Sequence, residues 1–133
     1  MSIHPKFAQL ILNGEKKVEF RKTRFASQVS HIVIYATNPL KKIVGYFEVQ
    51  GIQVSPPEEL WQCYSEVAGI DQGFFQEYYD NINQGVAIEV GKVYQLNHFL
   101  PLNSISTSLL APQSYIYLDK KLFDSIKANR DFH

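Results

Sequence analysis

A change from a helical to an extended pattern across Gly14–Lys22 constrains the fold of this chain more than any other segment. Upstream, Pro5 suits the first position of a helix, and the Asn13-Gly14 pair is typical of a helix C-terminus. Downstream, residues 18–22 alternate apolar and charged side chains, as a strand with one buried face does. The segment therefore predicts a short helix that is followed at once by a strand.

The charged side chains of this segment are predicted to lie together. Glu19 and Arg21 share one face of the strand, whereas Val18 and Phe20 share the other and can be buried. Lys16 comes just before the strand, within the same turn. Such a segment can present two cations and a carboxylate rigidly to a ligand. The alternative is a solvated Glu–Arg pair that contributes less than ~1 kcal/mol to stability.

Further strands are predicted where β-branched residues cluster or where apolar and polar residues alternate. They are expected near residues 2–4, 31–36, 43–54, 86–90, 93–100 and 113–118. Within them, Gly45 indicates a bulge or a sharp bend, and Gly91-Lys92 is expected to form a turn.

Helices are predicted in the middle and at the end of the chain. Ser55–Glu58 has the pattern of a capping box at the start of one helix, and Asp71 can cap a second. Cys63 lies among apolar residues of the first and is expected to be a small core residue. The second carries an aromatic stripe whose spacing favours a core face, with a base-stacking platform as the alternative. Its residues are Phe74, Phe75, Tyr78 and Tyr79. A C-terminal helix is expected over about residues 119–129.

Length and composition favour one folded domain. The 133 residues, 45% of them hydrophobic, suffice for a single core. The order of elements predicts an α+β domain over residues 1–133, a small and mostly antiparallel β-barrel of five or six strands with flanking helices. No apolar run approaches the ~20 residues of a membrane span. No signal-peptide core is present, so a cytoplasmic protein without a membrane partner is expected.

Familiar cofactor and catalytic motifs are missing from the sequence. It has no glycine-rich phosphate loop and no Cys/His pair at zinc spacing, so neither a metal nor a cofactor is expected. The four histidines lie far apart, and the serines near position 110 lack a nucleophile-elbow context. Hydrolysis by a familiar triad is therefore not expected.

Charge is distributed unevenly although the net charge is zero. Residues 1–50 carry eight cations and three carboxylates, a net charge of +5, while the rest carry five cations and ten carboxylates. A basic N-terminal half of this kind can guide a phosphate-bearing ligand to one side of the molecule.

The helix-to-strand segment resembles the start of the ASCH family, within the PUA-like superfamily. The hallmark of that family is G-x-K-x-x-E-x-R at the end of the first helix, and Gly14, Lys16, Glu19 and Arg21 match it. The resemblance spans roughly residues 2–118 in matching order. Besides the hallmark it includes Ser2–Ala8, Ile34–Pro39, Lys42–Phe47, Pro57–Trp61 and Ala111–Leu118.

The resemblance implies a PUA-like barrel with a cleft between barrel and helices, and a role in binding RNA, a nucleotide or a modified nucleobase. One small bacterial branch of the family hydrolyses N4-acetylcytidine with a lysine, a threonine and a glutamate. Lys16 matches the lysine, but Glu19 stands at the threonine position and Ala68 at that of the glutamate. A ribonuclease activity has also been associated with the family.

Two functions are compatible with these residues. In a binding module, Lys16 and Arg21 would contact phosphate or a base edge, and Glu19 would accept from an exocyclic amine. In a nucleoside- or RNA-directed hydrolase, Lys16 would be a base of lowered pKa and Glu19 would orient a water. Arg21 would then stabilise the developing negative charge.

Five further residues are candidates for the same cleft. Tyr35 could stack on a base, while Thr37 and Asn38 could donate or accept hydrogen bonds. His4 and Lys6, at the start of the first helix, could line the cleft from the other side. The expected partner is thus RNA or a free nucleotide or nucleoside.

Overall fold

The structure, a computed structural model, describes residues 1–24 and 29–101 of the chain. Strands and helices alternate in it, and the α+β class predicted from sequence is confirmed for this part of the chain. The elements, in order, are β1 (Ser2–Ile3), α1 (Pro5–Leu12), β2 (Val18–Arg21), β3 (His31–Ala36), β4 (Lys42–Ser55), α2 (Pro57–Tyr64), a 3₁₀ turn (Ser65–Val67), α3 (Gln72–Tyr78) and β5 (Gly85–Leu100). The strand expected at 113–118 and the helix expected at 119–129 lie outside the described residues.

The five described strands form one sheet in the order β1-β3-β4-β5-β2. β1 runs parallel to β3, and the other neighbours are antiparallel. Among the described residues the sheet is open, with β1 and β2 at its edges, so the predicted barrel closure is not seen there. A side chain bridges these edges instead, because Arg21 Nη2 donates to the carbonyl oxygen of Ser2 at 2.7 Å.

The turn predicted at Gly91-Lys92 does not form, because both residues lie within β5. The chain continues through both residues as one 16-residue strand, paired with the 14-residue β4. Shifts in the pairing register occur between Ile43 and Gly45, between Phe47 and Val49, and between Val49 and Gly51. The irregularity predicted at Gly45 is therefore confirmed.

The start of α2 also differs from the prediction. Ser55 is the last residue of β4, and Pro56 occupies the N-cap without any side-chain hydrogen bond, so the expected capping box does not form. Cys63 is exposed, because it lies on the outer face of α2. The Asp71 cap of α3 is confirmed by its Oδ1, which accepts from the amide of Phe74 at 2.8 Å.

The inserted helices bury an apolar face against β2. Val18 and Phe20 pack against residues of α2 and α3, as the alternation of β2 predicted. In the aromatic stripe of α3, Phe75 and Tyr79 are buried in this core, while Phe74 is 48% exposed. The opposite face of β2 is thus free to carry its charged residues. No helix of the described residues has both the length and the hydropathy needed to cross a membrane.

Candidate functional site

The site is built on β2 and on the turn that precedes it. Gly14 ends α1 with a φ of +86°, a backbone conformation that glycine adopts at little cost. The amide of Lys16 then donates to the carbonyl of Leu10, and the amide of Lys17 to that of Val67. These bonds fix the start of β2 between α1 and the 3₁₀ turn. Lys16 is thereby directed into the interior and not into solvent.

Glu19 lies between two cations. Its Oε2 is 2.9 Å from Arg21 Nη2, and its Oε1 is 3.8 Å from Lys16 Nζ. Glu19 and Arg21 thus occupy the same face of β2, as their spacing predicted. The structure brings the three charged residues of the hallmark together.

Lys16 is buried to an extent that is unusual for a lysine, with 2% of its surface exposed. Its ammonium group donates to the carbonyl oxygen of Ala68. The nitrogen also lies 5.7 Å from the centroid of the Phe7 ring and 5.5 Å from that of Phe20. Aromatic rings, a carbonyl and a carboxylate therefore enclose this cation.

Burial lowers the pKa of Lys16 below its usual value of 10.5. Glu19 opposes this shift because a carboxylate favours the protonated amine, and Arg21 adds to it by repulsion. Lys16 consequently gives up its proton more readily than a solvated lysine. A group of this kind can act as a charged hydrogen-bond donor or, once deprotonated, as a base.

Arg21 has a donor for which no described residue supplies an acceptor. Its Nη2 serves both Glu19 and the Ser2 carbonyl, whereas the buried Nε finds no acceptor among the described residues. A buried donor without a partner costs about 1–3 kcal/mol, so such atoms are uncommon away from functional sites. An anionic or carbonyl oxygen of a ligand would satisfy it.

A cleft of about 150 Å³ opens beside these residues, and we call it the inner cleft. It is lined by Ser2, Ile3, His4, Phe7, Lys16, Glu19, Phe20, Arg21, Ile70, Phe74 and Tyr78. An outer cleft of about 390 Å³ adjoins it and is lined by Lys6, Phe7, Gly69, Ile70, Asp71 and Phe74. The two clefts share three apolar residues, Phe7, Ile70 and Phe74, so they lie side by side.

The other sequence-predicted site residues fall in different places. His4 lines the inner cleft and caps α1, its Nδ1 accepting from the amide of Lys6 at 3.2 Å; Lys6 itself lines the outer cleft. Tyr35 is only 6% exposed, because it faces a core of Ile43, Tyr46 and Leu96, and neither cleft includes it. Thr37 and Asn38 follow β3 and also lie outside both clefts.

Other residues of the site come from the inserted helical segment, and the sequence analysis did not connect them with the hallmark residues. The carbonyl of Ala68 and the rings of Phe74 and Tyr78 lie more than fifty positions after Lys16. Gly69, which lines the outer cleft, has a φ of +69°. The part of the chain that is described contains no group of three or more His, Cys, Asp or Glu side chains able to hold a metal ion.

Comparison with known proteins places this architecture in a family. The profile of the ASCH domain matches residues 1–94, which is most of the chain. The chain therefore belongs to the ASCH domain family, as its hallmark residues indicated.

Among proteins of known name, the chain is 27% identical over 124 residues to an ASCH domain-containing ribonuclease of Zymomonas mobilis. That match covers 91% of this chain and 84% of the relative. Over 119 residues the chain is also 28% identical to the large ribosomal subunit protein uL22 of Ureaplasma parvum serovar 3. This second match covers 89% of the chain but only 38% of the uL22 protein.

Solved structures agree with the sequence matches. The crystal structure of ASCH from Zymomonas mobilis superimposes with a TM-score of 0.89 at 26% identity, covering 96% of this chain and 92% of that one. The N-terminal domain of Staphylothermus marinus McrB gives a TM-score of 0.57 at 10% identity, covering 90% of this chain and 86% of that domain. The second similarity concerns the fold alone.

Proposed function

We propose that the protein binds RNA and that one nucleotide occupies the inner cleft. The convergence of Lys16, Glu19 and Arg21 on the inner cleft carries this proposal, since two neighbouring cations suit a phosphate or base oxygen. The buried Arg21 Nε, which has no acceptor among the described residues, is in keeping with a site that is completed by a ligand. Membership of the ASCH family and the likeness to a protein named a ribonuclease support RNA as the ligand class.

Each charged residue has a role in this proposal. Arg21 binds a phosphate oxygen or a carbonyl at the base edge, and Lys16 adds a second positive charge on the other side of Glu19. Glu19 holds both cations in place and can accept from an exocyclic amine of the base. Because Glu19 neutralises one of the two cations, the net attraction is modest, which fits a ligand that is recognised locally and not by many phosphates.

A binding titration with a labelled single-stranded RNA of about ten nucleotides tests the proposal. We expect Lys16→Met and Arg21→Met each to weaken binding at least tenfold, whereas Lys17→Met, which removes an exposed neighbouring charge, changes it little. Two phosphate contacts would give a slope of log K against log salt of about −1.4. Equal losses in the cleft variants and in Lys17→Met would contradict a site in the cleft.

RNA hydrolysis is the second candidate, and the lowered pKa of Lys16 together with the ribonuclease-named relative favours it. Glu19 would orient an attacking hydroxyl or water, and deprotonated Lys16 would take its proton as the oxygen bonds to phosphorus. The P–O5′ bond would break, Arg21 would stabilise the negative charge at phosphorus, and protonated Lys16 would return the proton to the leaving 5′ oxygen. Incubation with end-labelled RNA, followed by mass spectrometry, tests it. Intact RNA that remains bound to the wild-type protein would exclude this candidate and leave the binding module.

Hydrolysis of N4-acetylcytidine is less well supported by the residues. Glu19 stands where the active branch has threonine, and it is already committed to two cations. Ala68 stands where that branch has glutamate and contributes only its carbonyl oxygen, which binds Lys16. We therefore expect no deacetylation of N4-acetylcytidine, either by the wild type or by Glu19→Thr, in an assay by mass spectrometry.

A further inference from the structure

Phe74 is the most exposed large hydrophobic residue of the described chain, and it lies at the border of the two clefts. Its neighbour in the stripe, Phe75, is buried, and Phe74, one position earlier on α3, lies at the edge of the buried face. The ring meets Phe7 edge to face, with centroids 5.4 Å apart and planes at 70°. One edge is thereby supported while much of its surface remains open to solvent.

The two adjoining clefts differ in volume. The inner cleft, at about 150 Å³, is smaller than the ~300–1,000 Å³ of sites that hold a drug-sized ligand, while the outer cleft reaches that range at about 390 Å³. A nucleotide that enters the inner cleft is therefore too large to be enclosed by it and extends beyond it. The shared residues Phe7, Ile70 and Phe74 lie where such a ligand passes from one cleft to the other.

The outer cleft has side chains of opposite charge on its two sides. Lys6 lies on the α1 side, and Asp71 on the α3 side carries a carboxylate whose Oδ1 already accepts from the Phe74 amide. A phosphate is attracted to Lys6 and repelled by Asp71, whereas the amino groups of a base are compatible with the carboxylate. An entering chain would thus place its backbone toward α1 and its base toward α3, next to Phe74.

We propose that the outer cleft is a second nucleotide subsite in which a base stacks on Phe74 and Lys6 contacts the connecting phosphate. This inference rests on the proposed RNA-binding function and narrows its ligand to a single strand of at least two nucleotides. A base can stack on a side chain only when it is free of its own base pair and neighbours, so a duplex is a poor ligand. A free nucleoside has no second base to stack on Phe74.

Binding of a mononucleotide, a dinucleotide and a short single strand to the same variants tests the subsite. We expect the dinucleotide to bind the wild type at least tenfold more tightly than the mononucleotide. Phe74→Ala should weaken dinucleotide binding about tenfold, the size expected from the loss of one stacked base, and weaken mononucleotide binding far less, because Phe74 only borders the inner cleft. Phe74→Tyr, which keeps the ring, should bind as the wild type does.

Two controls separate stacking from general effects. Ile52→Ala removes another exposed hydrophobic side chain, 45% exposed on β4, and should alter none of the affinities. Lys6→Ala should lower the magnitude of the salt slope for the short single strand by about 0.7, as the loss of one phosphate contact does, and should weaken dinucleotide binding more than mononucleotide binding. Thermal unfolding verifies that each variant is folded.

The outcomes distinguish this inference from the function on which it rests. Equal binding of mononucleotide and dinucleotide, with both dependent on Arg21, would overturn the second subsite and retain the inner cleft. No measurable binding of any of the three probes to the wild type would overturn both. Equal loss of mononucleotide and dinucleotide binding in Phe74→Ala would also overturn the subsite, because Phe74 would then act on the inner cleft.

Discussion

Gly69 lies directly against the aliphatic part of the Lys16 side chain. A Cβ atom at position 69 would be 2.8 Å from Lys16 Cβ and 2.9 Å from Lys16 Cγ. The preceding residue, Ala68, accepts the hydrogen bond of the Lys16 ammonium. The segment between α2 and α3 therefore closes over this lysine and holds its charged end beside Glu19.

We expect Gly69→Ala to destabilise the protein and to weaken ligand binding. The φ of +69° disfavours alanine, and the added methyl overlaps the Lys16 side chain, so a loss of about 2–3 kcal/mol in unfolding free energy is expected. Urea unfolding measures it. Gly73→Ala, in α3, is the matched control, because its nearest contact would be 3.4 Å and helical alanine is favourable by about 1 kcal/mol. Equal stability of the two variants would contradict the contact.

The convergence of Lys16, Glu19 and Arg21 was predictable because it depends on local geometry. Alternate residues of a strand share a face whatever the rest of the fold does, and a helix that ends at Gly14 leaves Lys16 next to that strand. The contact of Lys16 with Ala68 was not predictable in this way. It joins residues 52 positions apart and depends on how the inserted helices pack on β2.

Two other differences between sequence and structure have a similar origin. Phe74 and Phe75 are adjacent in an amphipathic stripe, and only the arrangement of the neighbouring elements determines which of them is buried. At Gly91 the sequence indicates a break, but β4 is long enough to pair with β5 on both sides of it, so the strand continues. Local propensity cannot indicate the length of a partner strand.

Glu19→Gln should destabilise the protein strongly, although β2 is an edge strand of the sheet. It leaves Lys16 and Arg21 facing each other with their shared carboxylate removed, and breaking a largely buried ion pair costs roughly 3 kcal/mol. Glu48→Gln provides the comparison, since its contact with His31 is 4.0 Å long and exposed, and a loss below ~1 kcal/mol is expected. Chemical unfolding measures the free energy of unfolding of both variants. Similar decreases in the two variants would contradict a buried ion pair at Glu19.

Tyr79→Phe should loosen β2 at Arg21. The Tyr79 hydroxyl donates to the Arg21 carbonyl at 2.7 Å, and burial raises the pKa of this phenol, consistent with a hydroxyl that keeps its proton. Removing the bond should cost about 1 kcal/mol and reduce ligand affinity through the displaced arginine. Tyr94→Phe, which loses a longer bond of 3.3 Å to Glu48, should leave ligand affinity unchanged. Thermal unfolding and binding titrations measure the two effects.

Lys16→Met should change how stability depends on pH. The folded-state pKa of Lys16 lies below 10.5, so between those two values the unfolded chain holds a proton that the folded protein has released. Stability therefore rises with pH in this window, since alkali removes the cost of burying the charge. The unfolding free energy of the wild type relative to Lys16→Met should be constant below the window and should increase through it. Urea unfolding of both proteins from about pH 7 upward measures this difference, in which the titration of other groups largely cancels. A difference that stays constant or falls with pH would mean that burial does not govern the Lys16 ammonium.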